Sequence, residues 1–361
     1  MTEPLLGLSA PVFTVGGELS RDLGRDCVFC EVDEGIEGLR TLSAHFVAVG
    51  AGATGPPDPM LYLDGQVLDF GKPVQVSLGP DGGQRTVFDG TISAIEVFFA
   101  DGQPPRVIVL AEDALMRLRM TRRHRSYLSV TDADIAGQLA AEHGLQTDIG
   151  VDGPRYDVVQ QLNQSDLAFL RERARLLQAE LWCTGRTLHF RSRPQRTATA
   201  VTLVQGNELL SVKMRADLAH QRSAVRVTGY DAGSRSVIDE QAGPETIDAE
   251  IGTGRTGPRV VASALGAATA IRVREAALTG SEASAWAKAE MLRRARQFVT
   301  AVGTTRGTVD MVVGSRLRLE LVGPPFEGNG YYVTRVKHTF ELQQGLRTRF
   351  EAERSTVNEV A

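Results

Sequence analysis

Residues 158–191 read VVQQLNQSDLAFLRERARLLQAELWCTGRTLHFR. The stretch has the pattern of a capped helix followed by a tight hairpin. Asn163 is placed to accept a hydrogen bond from an early free N–H, and Asp166 follows near the positive helix end. Leu162 and Leu167 take the two staple positions around that cap. Leu167, Leu170, Ala174 and Leu177 make one apolar stripe, with Arg171, Glu172, Arg173 and Arg175 mostly on wet faces. The helix is expected to end near Glu180. Leu181–Cys183 and Thr187–Phe190 then flank the glycine-containing turn Thr184-Gly185-Arg186. Ser165, Asp166 and His189 do not read as a triad. Two of them sit at a helix start, the third alternates along a strand, and no strained elbow frames the serine.

Around this block, residues 115–200 read as a small α/β unit. Thr131-Asp132-Ala133-Asp134 opens a helix in capping-box fashion, with Val130 and Ile135 as staple partners. Ile135, Ala136, Leu139 and Ala140 give its buried face, and Gly144-Leu145 closes it. Residues 1–114 look all-β. Val74–Leu78 alternates, Gly79-Pro80-Asp81-Gly82-Gly83 turns, and Gly90–Phe99 continues with its Ser93, Ile95, Val97 and Phe99 side as the more buried. Residues 51–59 (AGATGPPDP) form a loop on composition. Residues 201–361 are β-rich again, with one helix over about 281–299 in which Ala285, Ala289, Leu292, Ala295 and Val299 make a stripe beside Trp286. Asp231–Gly257 reads as an exposed excursion, and Arg316–Leu321, Tyr332–Phe340 and Leu346–Ala352 alternate as strands. The expected class is α+β, mainly β: two β modules, as barrels or sandwiches, with an α/β insert between them.

Composition narrows the function classes. The chain has 361 residues, 42% of them hydrophobic and 23% charged, which fits an ordinary globular protein of two or three domains. A formal charge of −4 argues against general nucleic-acid binding. Cys27, Cys30 and Cys183 cannot all pair. Cys27 and Cys30 make a C-x-x-C with no second ligand pair at zinc spacing and no helix at the pair. On a strand they are expected to point to opposite faces as small apolar residues. Free thiols fit synthesis in a reducing cytoplasm. The N-terminus MTEPLLGLSAPVF has no basic residue, so no signal peptide is expected. Val260–Ile271 is too short to span a bilayer.

Two motifs invite over-reading. Residues 252–257 match G-x-G-x-x-G, but Glu245–Ile251 is too polar for a buried parallel strand and no βαβ unit surrounds it. No cofactor is expected. The basic run Arg117, Arg119, Arg122, Arg123, His124 and Arg125 is expected to be a solvated face that pairs with Glu112 and Asp113 or with a neighbouring subunit. Asp132 and Asp134 look like helix-start acids rather than metal ligands, and the histidines form no H-x-x-x-H pair.

The central block resembles the late-control D / VgrG baseplate hub proteins of contractile phage tails and injection machines. Their pattern N-x-S-D-L-x-F-L, a charged helix, a Trp, then G-x-x-L-H-F appears here as Asn163, Ser165, Asp166, Leu167, Phe169, Leu170, Trp182, Gly185, Leu188, His189 and Phe190. Further segments resemble the same family in order: Val87–Ile92, then Gln205-Gly206-Asn207-Glu208, Asp217–Gln221 with His220, and Val225–Asp231, then Gly330–His338 with Tyr332 and Val333, and Arg347–Glu351. The resemblance implies a homotrimer in which two β-barrels per subunit make a pseudo-sixfold ring. It also implies a role joining a six-fold inner tube to a three-fold spike. Partners would be the inner tube, other baseplate proteins and a separate spike protein, since no spike-like repeat follows before Ala361. The protein would be made in the cytoplasm and incorporated in a tail-like particle, with no cofactor, no membrane anchor and no catalysis. Two rivals remain: a hydrolase using a histidine and carboxylates in a cleft between domains, for which His189 and His220 would matter, and a monomeric binding module.

Overall fold

The computed structural model describes residues 10–51, 57–58, 60–80, 83–251 and 253–359. Strand outweighs helix, 49% against 20%, so the mainly β expectation holds. The frame is a 13-stranded sheet. From one edge it runs Leu209–Ala216, Val299–Arg306, Gly345–Arg354, Gly328–Glu341, Cys27–Gly35, Thr41–Val47 and Arg106–Glu112. It continues through Arg85–Phe98, Pro73–Leu78, Val12–Val15 and Glu18–Ser20, and neighbours along this path are antiparallel. Arg316–Glu320 pairs with Gly328–Glu341 and carries Ala200–Val204 parallel on its other side.

Strands from the two ends of the chain thus share one sheet. Its seam is Cys27–Gly35 against Gly328–Glu341, with Phe29 opposite Glu341 and Gly35 opposite Arg335. Alternation explains why these segments are strands. Leu42, Ala44 and Phe46 point into one core with Val107, Val109 and Ala111 from the strand beside them.

Three apolar cores sit along this frame. One fills the N-terminal β region around Phe13, Phe46 and Phe88, and a second lies in the C-terminal region around Phe298, Tyr331 and Phe350. The third holds the middle of the chain: Leu139, Leu170 and Phe190 pack there with Val225, Val227, Ile238, Trp286 and Met291. The middle core therefore reaches past residue 200. It takes in the hairpin Ala224–Asp231/Ser236–Ala242 and the long helix Gly280–Arg296.

The Thr131 capping box forms with both reciprocal bonds, and Gly144 follows the helix Asp132–Glu142 at φ 65. The central hairpin is Ala179–Thr184 against Thr187–Ser192, with Gly185 at φ 55 in the turn. The C-terminal alternating segments are strands.

The cap of the central helix is not Asn163. The strand Tyr156–Ser165 runs through Asn163, itself at φ 50, and Ser165 Oγ accepts from the Ala168 N–H at 3.2 Å. Leu162 is consequently 61% exposed and staples nothing. The helix is Asp166–Leu177 and closes on left-handed Gln178, before Glu180. Arg173, expected on a wet face, is buried against Asp132 and over the Tyr156 ring.

Cys27 and Cys30 face the same core rather than opposite sides. The pairing register slips between Cys27 and Phe29, and this bulge at Val28 restores both sulfurs to the interior. Past Gly90 in the strand Arg85–Phe98 the buried residue is Ile92, on the side opposite to the one expected; a register slip follows, and Val97, Phe98 and Phe99 are exposed. The strand simply outruns its core. The excursion after Asp231 folds as a hairpin strand and the short helix Glu245–Asp248, burying Ile238, Ala242 and Ile247. The long helix starts after a Thr279 cap and buries Ala289 and Ala295 of the expected stripe together with Ala283, Trp286, Ala287 and Met291; Ala285 and Leu292 are half-buried, and Val299 belongs to the next strand. Residues 1–9, most of the 51–59 loop, Asp81, Gly82 and Gly252 lie outside the described residues.

Candidate functional site

The left-handed turn at Gln178 brings the chain off the central helix so that Glu180 points inward, 4% exposed. A buried carboxylate needs charged or hydrogen-bonding partners to offset lost hydration. Glu180 has three: Tyr332 Oη donates to Oε2 at 2.6 Å, Arg196 Nη1 to Oε2 at 3.2 Å, and Arg193 Nε to Oε1 at 3.2 Å. Each arginine reaches onward. Arg193 Nη1 pairs with Glu353 at 2.5 Å, and Arg196 Nη2 with Glu34 Oε1 at 2.7 Å. Arg40 binds the other oxygen of Glu34 through Nε at 2.9 Å and Nη2 at 2.5 Å. Three guanidiniums thus alternate with three carboxylates, so the cluster is neutral.

Its members come from every part of the fold. Glu34 lies on the seam strand Cys27–Gly35, and Arg40 follows it. Glu180 belongs to the central hairpin, and Arg193 and Arg196 to the turn just after it. Tyr332 and Glu353 lie on the paired C-terminal strands, directly opposite each other. The Tyr332 ring is held between Arg193 (4.2 Å) and Arg316 (4.5 Å). Burial, reinforced by Glu180, pushes the Tyr332 phenol far above its ordinary range. Burial alone would weaken the Arg193 cation, but Glu353 and Glu180 beside it raise its pKa overall. Asp113 lies alongside: burial pushes its carboxyl up to about 6, against the Arg40 and Leu115 N–H groups that it accepts.

A stack continues outward. Arg196 covers the Trp182 ring at 4.3 Å, and Trp182 stacks on His189 at 4.6 Å and 6°. His189 Nδ1 is 2.8 Å from Asp148, which also accepts from Arg191 at 2.6 Å. These bonds hold the half-exposed Asp148 carboxyl below the usual range.

A second buried carboxylate organises the insert. Asp166 accepts from Arg123 at 3.0 Å and from Gln161 at 2.9 Å, and lies 2.8 Å from His143 Nε2. Part of the basic run is absorbed by such pairs: Arg123 and Arg125 meet Glu142, and Arg119 meets Glu112, whereas Asp113 accepts from the Arg40 and Leu115 N–H groups instead.

The motif residues therefore divide. Trp182, His189 and Tyr332 join the ionic junction. Leu167, Phe169, Leu170, Phe190 and Val333 are core, with Phe169 stacked on Tyr127 at 5.7 Å. Ser165 caps and Asp166 gathers the second cluster. Asn163 is exposed and accepts from Arg122 at 3.3 Å. Gly185 and Gly206 serve turns, and Asn207 reaches Glu208 at 2.6 Å. His220 contributes its carbonyl to Arg294 at 3.2 Å, away from His189. Ser165 and His189 make no bond to each other; each is committed elsewhere. The last glycine of the G-x-G-x-x-G string, Gly257, opens a helix under Gln221 and Phe298, where a Cβ would have no room. The preceding strand is only Arg255–Thr256, antiparallel to Thr356–Val357, so the dinucleotide geometry is lacking.

Glu34, Arg40, Glu180, Arg193, Arg196 and Glu353 were not marked by the sequence. A signal existed at Glu34, which keeps the inward parity of Cys30 and Val32. Among the described residues no cluster of His, Cys, Asp and Glu could hold a metal ion, and no helix is long and apolar enough to cross a membrane. Chemically, the junction saturates its charges on one another. It is built to hold parts of the chain together.

The sequence model of the Alg8 N-terminal domain matches residues 63–341. No curated protein matches the chain. Among solved structures, the 43 kDa tail protein of prophage MuSo2 from Shewanella oneidensis is similar at TM-score 0.66 and 14% identity, over 96% of this chain and 98% of that one. The tail protein from Neisseria meningitidis MC58 is similar at 0.66 and 13%, over 95% and 96%. The E. coli c3393 protein, a component of the type VI secretion system with structural similarity to T4 bacteriophage tail proteins gp27 and gp5, is similar at 0.58 and 11%, over 98% and 78%. The chain shares the fold of these tail and secretion-system proteins.

Proposed function

The chain belongs to the Alg8 N-terminal domain family, and with its fold as the second premise we propose that it is a structural hub subunit of a contractile tail-like particle. In this reading it is a late-control D / VgrG-type hub and not an enzyme. Three copies form a ring in which the two β regions of each subunit act as barrel modules. The resulting pseudo-sixfold face meets the six-fold inner tube, and the three-fold face holds a spike protein. The observation that carries the reading is the shared sheet, in which the N-terminal and C-terminal β regions are fused at Cys27–Gly35/Gly328–Glu341 and clamped behind that seam by the Glu180 junction. A subunit that transmits force between tube and spike needs its two modules fixed relative to one another. A neutral, fully paired buried cluster holds one geometry, because every alternative arrangement strands a charge.

The test is to tag the chain in its native producer, purify gently, and combine negative-stain electron microscopy with mass spectrometry. Sheathed rods co-purifying with tube and spike proteins are expected. A lone monomer from cells that express the rest of such a locus would remove the hub reading.

A further inference from the structure

We propose that copies of this chain meet head to tail through one charge-polarised sheet, the acidic edge of one copy seating in the arginine-lined cleft of the next. The inference rests on the trimeric reading above and names its interface. The sheet has three strands in the order Ser236–Ala242, Ala224–Asp231, Thr269–Ala277, and the long helix Gly280–Arg296 covers one face of it. Its two edges differ in charge.

On the first edge, residues 231–250 hold Asp231, Asp239, Glu240, Glu245, Asp248 and Glu250 against Arg235 alone. Inside the chain Asp239 pairs with Arg226, Asp248 with Arg259 and Glu250 with Arg296. Asp231, Glu240 and Glu245 make no ion pair among the described residues.

Beside the other edge strand lies a cleft of about 450 Å³, walled by Arg175, Arg272, Arg293 and Arg294 over a floor of Val225, Ala270 and Ile271. Among the described residues that line it the acid is Glu290, bound to both Arg293 and Arg294, while Arg175 also reaches Glu37. Ile271 is 58% exposed in the middle of this basic rim. The outer side of Thr269–Ala277 has no neighbour among the described strands, the kind of edge that natural proteins keep covered.

In the three-fold ring of the reading above, every contact joins two different patches, so each acidic edge can sit on the next basic cleft. Opposite charges there attract the two copies and fix their register.

The test uses the full chain with Arg175→Glu and Arg293→Glu on the cleft, Asp231→Arg with Glu245→Arg on the edge, and all four together; Arg175 and Glu245 are exposed, Arg293 and Asp231 half-buried. Native mass spectrometry and sedimentation read the assembly, and circular dichroism checks folding. Wild type is expected to be a trimer that loosens with salt. Either one-sided variant should weaken association by about tenfold or more, and the four-fold reversal should restore it. Trimers that ignore both one-sided reversals, or one-sided losses that the combined variant does not repair, would overturn the interface and leave the hub reading standing. A wild-type chain that never trimerises would remove both. If one pair of substitutions unfolds the chain, the other pair and the salt dependence decide.

Discussion

Tyr332 Oη lies 2.6 Å from Glu180 Oε2, a bond across 152 residues of sequence that ties the C-terminal strands to the central hairpin. Replacing Tyr332 with Phe keeps the ring between Arg193 and Arg316 and removes only this donor. A hydrogen bond to a charged group contributes about 1.5–3 kcal/mol, so the variant should lose that much in urea unfolding. An unchanged midpoint and slope would mean that the bond contributes nothing to holding the modules.

Glu180→Ala is a harsher change. It strands Arg193 and Arg196, both under 9% exposed, without one of their carboxylates. Breaking a buried pair from one side costs about 3–5 kcal/mol. The double variant with Arg193→Met should be less than additive in a mutant cycle, and strict additivity would show that the two groups do not couple.

Stability should also carry the mark of His338. Its ring is buried, with Nδ1 2.9 Å from Thr348 Oγ1 and Nε2 3.2 Å from the Met311 carbonyl. Burial pulls its pKa from 6.5 down to about 4. The unfolded chain then binds a proton that the folded chain refuses, so this contribution is full above pH 6.5 and is lost as pH falls toward 4. The whole span corresponds to about 3 kcal/mol. Asp113, raised to about 6, runs the other way, since its burial cost is relieved as it protonates on acidification. Comparing wild type with His338→Gln cancels the aspartate. The wild-type advantage should shrink between pH 6.5 and 4, and a flat difference would contradict the assignment.

The C-x-x-C should be inert in the native protein. Cys27 and Cys30 are buried, and burial pushes the Cys27 thiol up to about 12 and Cys30 well above its ordinary value. Iodoacetamide at mildly alkaline pH should label neither residue until the chain is unfolded. Rapid native labelling would reopen a redox role.

What the sequence disclosed depended on how local the physics was. The Thr131 capping box and the Gly185 hairpin are decided by contacts a few residues apart, and both were legible. The N-cap was misplaced by two residues because Asn163 and Ser165 are both good caps, and only the strand running through Asn163 decides between them. Cys27 and Cys30 were misjudged because strict alternation ignores a bulge. The ionic junction was largely invisible: Glu34, Glu180 and Glu353 look like surface charges until distant segments supply Arg40, Arg193 and Arg196. Its aromatic members, Trp182, His189 and Tyr332, were singled out only through resemblance to a family.

The most direct measurement of the central claim is cryo-electron microscopy of the sheathed particle from the native producer, with this chain located in the density. The hub account predicts three copies in a ring at the end of the inner tube, their two β regions alternating around a pseudo-sixfold axis against the tube. Density for this chain anywhere else in the particle, or particles of normal form from cells lacking it, would contradict the account.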